Sequence, residues 1–307
     1  MVLSSLRRFT AGGHVQSDVW MGLVASKLEL SLVMHTLSQD SRDTIAYHDA
    51  PLTEGELDRP GGPHRAANAA YRPLTISVVI PTKNEARNIG WVLERMDPMV
   101  DEVIIVDGLS VDGTIAAARA VRPDVVVVEH PVPGKGEAVR AGFAAATGDL
   151  VVMLDADGSM DPGEIIRYVE ALVDGHDFVK GSRYLSGGGT SDITLLRTIG
   201  NGALTRLANL LFGTSYSELC YGYMAFRRTR IRELDLTSTG FEIETEIVLK
   251  ARLAGLAIVE VPSFESPRRH GVSNLHTFRD GWRVLRTLLR HRFANPIGSA
   301  TGEPEES

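Results

Sequence analysis

Cysteine is nearly missing from this chain. One residue, Cys220, among 307 excludes an intrachain disulfide and every cysteine-rich zinc arrangement, and it fits a reducing cytoplasm. Long apolar runs are missing too. None reaches the roughly eighteen uninterrupted apolar residues of a membrane-spanning helix, so no transmembrane helix is predicted. The nearest stretch, "VWMGLVASKLELSLVMHTL" at residues 19–37, is broken in its middle by Lys27 and Glu29. Although Arg7 and Arg8 precede it, it lacks the short basic start and small-residue cleavage site of a secretory signal, and it reads as an amphipathic helix. Positive charge is not in excess: a net charge of −7 gives no general reason to expect nucleic acid as a partner. Two glycine signatures are absent as well. Without a G-x-x-x-x-G-K-[ST] loop, and without G-x-G-x-x-G after the first strand, neither an NTPase nor a dehydrogenase is favoured.

What remains is ordinary globular composition, 43 % hydrophobic and 23 % charged, in a chain long enough for one large domain with appendages. Residues 1–73 read as an extension and linker, partly disordered, because 38–73 are polar and turn-rich. The organised domain spans 74–293, and 294–307 read as a disordered tail. From Thr75 onward short β-rich runs alternate with helical patterns: "TISVVI", "EVIIVD", "DVVVVEH", "DLVVMLD" and "DFVKGS" are separated by "EARNIGWVLERM", "VDGTIAAARAV", "GKGEAVRAGFAAAT" and "PGEIIRYVEALV". Such alternation predicts βαβ units, a mostly parallel sheet and helices on both faces. After Arg183 the pattern changes to a glycine-rich loop, a helix over about 192–212, the polar-aromatic stretch "YSELCYGYMAF", a helix over 241–254, the strand "AIVEVP" and an amphipathic helix over 276–293.

Candidate chemistry gathers at the strand ends. In open α/β sheets ligands bind in the crevice outside the carboxyl ends of the strands. The run Leu150 to Leu154 reads as a strand buried on both faces, and Asp155 and Asp157 stand at its end. Two carboxylates so close repel unless a cation lies between them, and a hard divalent ion shared with substrate phosphates is the simplest candidate. The first strand ends in Pro81, Thr82, Lys83, Asn84 and Glu85, a turn in which Asn84 is equally a helix cap. Ile105 leads the second strand to Asp107, an acid placed to accept from a nucleobase N–H or a ribose hydroxyl, while Asp112 reads as a cap. Lys135 stands between two glycines at a helix start, where backbone N–H groups and a cation can meet phosphate.

Taken together, "VVIPTKNE", "EVIIVDGLSVDGT", "GKGEAVRAGFAAATGDLVVMLDADGSMDP", "DFVKGSRYLSGGG", "GYMAFRR" and "SPRRHGVSNL" resemble family 2 glycosyltransferases of the GT-A fold. The likeness runs from Ile76 to Leu289 and is strongest to dolichyl-phosphate and polyprenyl-phosphate mannosyltransferases and their bacterial relatives. It implies that Pro81, Lys83 and Glu85 contact the nucleotide, that Asp107 holds the base or ribose, and that Asp155, Ala156 and Asp157 form the metal and diphosphate motif for Mg²⁺ or Mn²⁺. Arg183 and Arg268 match arginines that hold donor or acceptor phosphate. Lys83 stands where the family often has an aromatic, Gly108 where it often has a second acid, and Ser159 and Asn274 where it has Gln and Lys. These departures leave the donor base and sugar open.

The implied reaction is inverting, metal-dependent transfer of a hexose from a nucleotide-sugar of the GDP-mannose or UDP-glucose type to a polyprenyl phosphate at the cytoplasmic face of a membrane. Asp157, Arg183 and Arg268 would then stabilise the leaving diphosphate, with Lys135 beside them. A hydroxyl acceptor would need a carboxylate base, for which Glu244 and Glu246 are candidates, Glu246 being the one selected; Glu242 reads as a solvated helix start. The alternatives are transfer to a soluble hydroxyl acceptor and a non-catalytic nucleotide-sugar-binding protein. Between Arg268 and Phe293 there are seven arginines and one acid. The helix there, with Phe278, Trp282, Leu285, Leu289 and Phe293 at helical spacing, suits either core packing or peripheral contact with an anionic membrane.

Overall fold

The computed structural model describes residues 74–273 and 275–294. The expectations for 19–37, for the linker, for the tail and for Asn274 lie outside those residues. Each apolar run of the first half becomes a strand: β1 (Ile76–Thr82), β2 (Glu102–Asp107), β3 (Val126–Glu129), β4 (Leu150–Met153) and β5 (Phe178–Ser182). Between them lie α1 (Ile89–Glu94), α2 (Thr114–Val121), α3 (Lys135–Ala145) and, after a short 3₁₀ turn at Pro162–Glu164, α4 (Ile165–Val173). The second half adds β6 (Gly189–Thr190), α5 (Leu195–Phe212), β7 (Met224–Arg227), α6 (Arg228–Glu233), α7 (Ile243–Leu253), β8 (Ile258–Pro262), β9 (Phe264–Glu265) and α8 (Thr277–Ala294).

Seven strands form one sheet in the order β3-β2-β1-β4-β7-β5-β8, and β6 pairs with β9 in a small second sheet. All pairings in the large sheet are parallel except those of β7, which runs antiparallel between β4 and β5. That strand was expected only as a polar-aromatic stretch. Its residues Met224, Ala225 and Phe226 are fully buried, so they form a continuous apolar run without the alternation that marks a half-exposed strand.

Side-chain alternation along the strands divides the core between two faces. Val78, Ile80, Ile105 and Val152 pack with Val92 and Tyr168 on one side. On the other, Val79, Ile104, Val106 and Val151 pack with Phe143, Ile247 and Leu288. Phe178 and Phe226 stack at 4.6 Å, and Tyr168 stacks on Tyr223 at 4.3 Å. Gly142 lets α3 lie directly on the sheet, since a Cβ there would stand 2.3 Å from Val79 Cγ1. This contact fixes the start of α3, and hence Lys135, against the ends of the strands.

Candidate active site

Because β2, β1 and β4 are parallel neighbours, their carboxyl ends open on one crevice. At the β4 end Ala156 is buried in the core, while Asp155 and Asp157 on either side of it remain partly exposed. The Asp157 turn is closed by Ser159 N donating to Oδ1 at 3.0 Å. Gly158 has φ +74°, and a Cβ on it would meet Arg269 Cδ at 2.6 Å, so only glycine fits between this turn and the following strap. That strap, residues 266–270, runs alongside the acids: Ser266 N donates to Ser159 O and Arg269 N to Asp157 O.

Each acid has its own cation. Lys135 Nζ lies 2.6 Å from Asp155 Oδ1 and 2.7 Å from Glu244 Oε1. Burial pulls the Lys135 ammonium toward neutrality, but the two carboxylates outweigh it and hold the pKa above the ordinary lysine range. Burial raises the pKa of Glu244, against the opposing charge of Lys135. Arg268 donates from Nη1 to Asp157 at 3.1 Å and from Nη2 to Glu85. The other Glu85 oxygen accepts from Asn88 Nδ2. Burial raises Glu85, with Asn88 and Arg268 opposing. Both Glu85 oxygens are thus engaged, and this residue positions Arg268 instead of standing free for a nucleotide.

At the β2 tip Asp107 Oδ2 accepts from Ser110 N at 2.9 Å, whereas its buried Oδ1 has no hydrogen-bond partner among the described residues. A buried acceptor without a donor is costly, and a ligand N–H or O–H would satisfy it. Lys83 crosses from the β1 tip, its Nζ donating to Gly108 O and, at 3.1 Å, to Leu109 O. A Cβ at position 108 would stand 3.2 Å from Lys83 Cδ. The two departures from the family pattern therefore touch, and the missing side chain at 108 makes room for the lysine. Asn84 and Leu109 adopt φ of 55° and 59°, a left-handed conformation that non-glycine residues rarely take. Asn84 is not a helix cap, since α1 begins at Ile89; its Oδ1 accepts from Val111 N at 2.9 Å and ties the two tips together. Asp112 accepts from Thr114 N at the start of α2, as expected of a cap. Pro81 is half-buried in β1. Ile105 is 0 % exposed: its side chain points into the core, which corrects its assignment to the nucleotide.

Two further assignments are corrected. Arg183 is buried, with its guanidinium divided between Glu218 and Glu265 (Nη1 to Oε2, 2.6 Å) and further held by Cys220 O. It ties β5 to β9 and the 217–220 segment and is engaged there, not with phosphate in the crevice. Glu246 is also buried, and its carboxylate accepts from Thr237 N, Thr237 Oγ1 and Ser238 N. Against the effect of burial, these bonds lower its pKa to about 2, so it is no general base. Glu242 is buried rather than solvated. Residues that sequence reasoning missed are Asn88, which orients Glu85, and Glu218, which neutralises Arg183. Neither carries a local signal, because both act through partners distant in the chain.

The sequence model of the family described as "Glycosyl transferase family 2" matches residues 77–235, which contain Asp107, Lys135, Asp155 and Asp157. The chain belongs to glycosyl transferase family 2. As a family 2 glycosyltransferase it is 32 % identical over 226 residues to the glycosyltransferase AglJ of Haloferax volcanii, covering 73 % of this chain and 74 % of the relative. It is 33 % identical to the polyprenol monophosphomannose synthase of Mycolicibacterium smegmatis, covering 67 % of this chain and 83 % of that one. Its fold is GT-A. A solved glucosyl-3-phosphoglycerate synthase from Mycobacterium tuberculosis, in complex with Mn²⁺, uridine diphosphate and its product, superposes with a TM-score of 0.55 at 28 % identity, over 78 % of this chain and 88 % of that one.

The donor set of this transferase fits a divalent cation. Among the described residues no three His, Cys, Asp or Glu side chains converge into a cage. Two carboxylates at a strand end, one residue apart, are what an ion completed by substrate phosphates and water requires, and Mg²⁺ is commonly held so.

Proposed function

We propose that this transferase moves a hexose from a nucleotide-sugar to a polyprenyl phosphate at the cytoplasmic face of a membrane, with inversion at the anomeric carbon. The observation that carries the proposal is the β4 tip, where Asp155 and Asp157 are each flanked by a protein cation beside the unsatisfied Asp107 oxygen of the next tip but one. Mg²⁺ or Mn²⁺ held by Asp155 and Asp157, when bound, supplies Lewis-acid neutralisation of the leaving diphosphate. The chain's own residues do the rest. Asp107 accepts from the nucleoside, Arg268 and Lys135 add fixed positive charge where negative charge grows, and Glu85 keeps Arg268 aimed. A lipid phosphate is already ionised near neutral pH, so the acceptor needs no strong base; the polyprenol monophosphomannose synthase similarity supports this acceptor.

A second acceptor class, a soluble hydroxyl compound, is favoured by Glu244, a buried acid with raised pKa inside the crevice that can take a proton. The test is donor binding by calorimetry with a panel of nucleotide-sugars, with and without Mn²⁺. Asp155→Asn/Asp157→Asn is expected to abolish the metal-dependent part of binding; equal binding by the variant would contradict the proposal. Adding polyprenyl phosphate or a soluble acceptor under turnover then separates the two acceptor classes.

A further inference from the structure

Two helices outside the crevice turn apolar side chains away from the core. On α8 the inward face carries Asp280, Val284, Thr287, Leu288 and His291. At 3.6 residues per turn, Phe278, Trp282, Leu289 and Phe293 form a stripe on the opposite side, and Phe278, Trp282 and Phe293 are 80 %, 67 % and 79 % exposed. On α5 the same inversion occurs: Asn201, Thr205, Ala208 and Phe212 are buried, while Leu196, Ile199 and Leu210 are exposed. The helices pack against each other, and Arg197 at the start of α5 reaches Leu275 O and Thr277 Oγ1 at the start of α8. The two apolar faces therefore belong to one surface.

Beside the α8 stripe lies a cleft of about 420 Å³ between residues 237–242 and the helix, into which Arg283, Arg286 and Arg290 project with Ser238 and Thr239 opposite. Glu242 Oε2 stands 3.7 Å from Arg283 Nη1 and lacks a hydrogen bond among the described residues. No ion pair is formed by Arg286 or Arg290 among the described residues. The cleft therefore keeps a net positive charge, in a protein whose overall charge is −7.

We propose that this cleft is a phosphate-headgroup site, and that together with the apolar stripe it seats the transferase on a bilayer of anionic phospholipid. Guanidinium groups and hydroxyls are suited to phosphate oxygens. The arginines sit along the edge of the stripe, where a helix lying in the interface plane needs them to meet headgroups while Phe and Trp enter the acyl boundary. The stripe from Phe278 to Phe293 extends about 22 Å, all of it parallel to the surface. Charge complementarity selects this occupant, since seven arginines and one acid lie between Arg268 and Phe293. The inference deepens the lipid-acceptor proposal, on which it rests for its sense. Its measurement needs neither donor nor acceptor, so failure of transfer and failure of docking are separate results.

The experiment is cosedimentation of the full chain with vesicles of phosphatidylcholine alone or mixed with phosphatidylglycerol. Binding is expected with the anionic vesicles and is expected to weaken as salt rises. Arg286→Gln/Arg290→Gln should lower partitioning on the order of 30-fold, and Trp282→Ala/Phe293→Ala about 10-fold; all four positions are exposed. Arg279→Gln/Arg292→Gln removes the same charge from the helix outside the cleft and should cost clearly less. Equal losses in the two arginine pairs would overturn the headgroup site. No binding to anionic vesicles would overturn the docking surface. In that event a dimer lost in Trp282→Ala would assign the face to a second copy, and a monomer would assign it to cover by residues 1–73.

Discussion

Replacing Glu246 by glutamine should destabilise the protein by about 3 kcal/mol at neutral pH, and the deficit should fade in acid. The hydrogen bonds from Thr237 and Ser238 take this buried carboxyl from 4.5 to about 2, and at about 1.4 kcal/mol per pH unit that difference is about 3 kcal/mol of stability. The folded-state pKa is depressed. The contribution is therefore complete above the unfolded value and is lost as pH falls from 4.5 toward 2; by about pH 3 less than half of it remains. Urea denaturation of both proteins, followed by circular dichroism from neutral pH down to about pH 3, gives the two stability curves. Convergence in acid supports the anchoring role. A difference that does not change with pH would refute the argument, and a variant of unchanged stability that has lost turnover would restore Glu246 as a base.

Lys135→Met leaves Asp155 and Glu244 facing each other without their cation, and should cost about 3–5 kcal/mol by thermal denaturation, with a smaller deficit at mildly acidic pH. Arg183→Met should fall in the same stability range because Glu218 is left buried and unpaired; a change confined to donor KM would contradict its structural role. Arg268→Met should lower kcat on the order of 100-fold, measured by nucleoside diphosphate release. Gly142→Ala should destabilise by about 1–3 kcal/mol through its clash with Val79 and Val106, whereas Gly200→Ala, with open space around it, should be neutral or gain up to about 1 kcal/mol.

Much of the fold is legible in the chain because the first four strands are short, uninterrupted apolar runs that stop at acids or turns. β7 is not legible: its apolar residues follow "YSELCYG" without alternation, and only its antiparallel insertion between β4 and β5 explains their burial. At the site, Asp107, Asp155 and Asp157 stand where strand-end reasoning puts them. The errors concern charge partners. Arg183 and Glu246 are plausible site residues by type and place, but Glu218 and the 237–238 backbone, both remote in sequence or invisible as side chains, engage them elsewhere. Lys135 was expected to meet phosphate, and it meets Asp155 because Glu244, more than a hundred positions later, draws it there.

The most direct measurement is sugar transfer to a short polyprenyl phosphate by the purified full chain with a panel of nucleotide-sugars and Mg²⁺ or Mn²⁺, beside Asp157→Ala. A lipid-linked sugar formed by the wild type, abolished by chelation and absent from the variant, is the predicted result. Undiminished transfer by Asp157→Ala would contradict the placement of the reaction at the β4 tip, and donor turnover without any glycosylated lipid would contradict the acceptor.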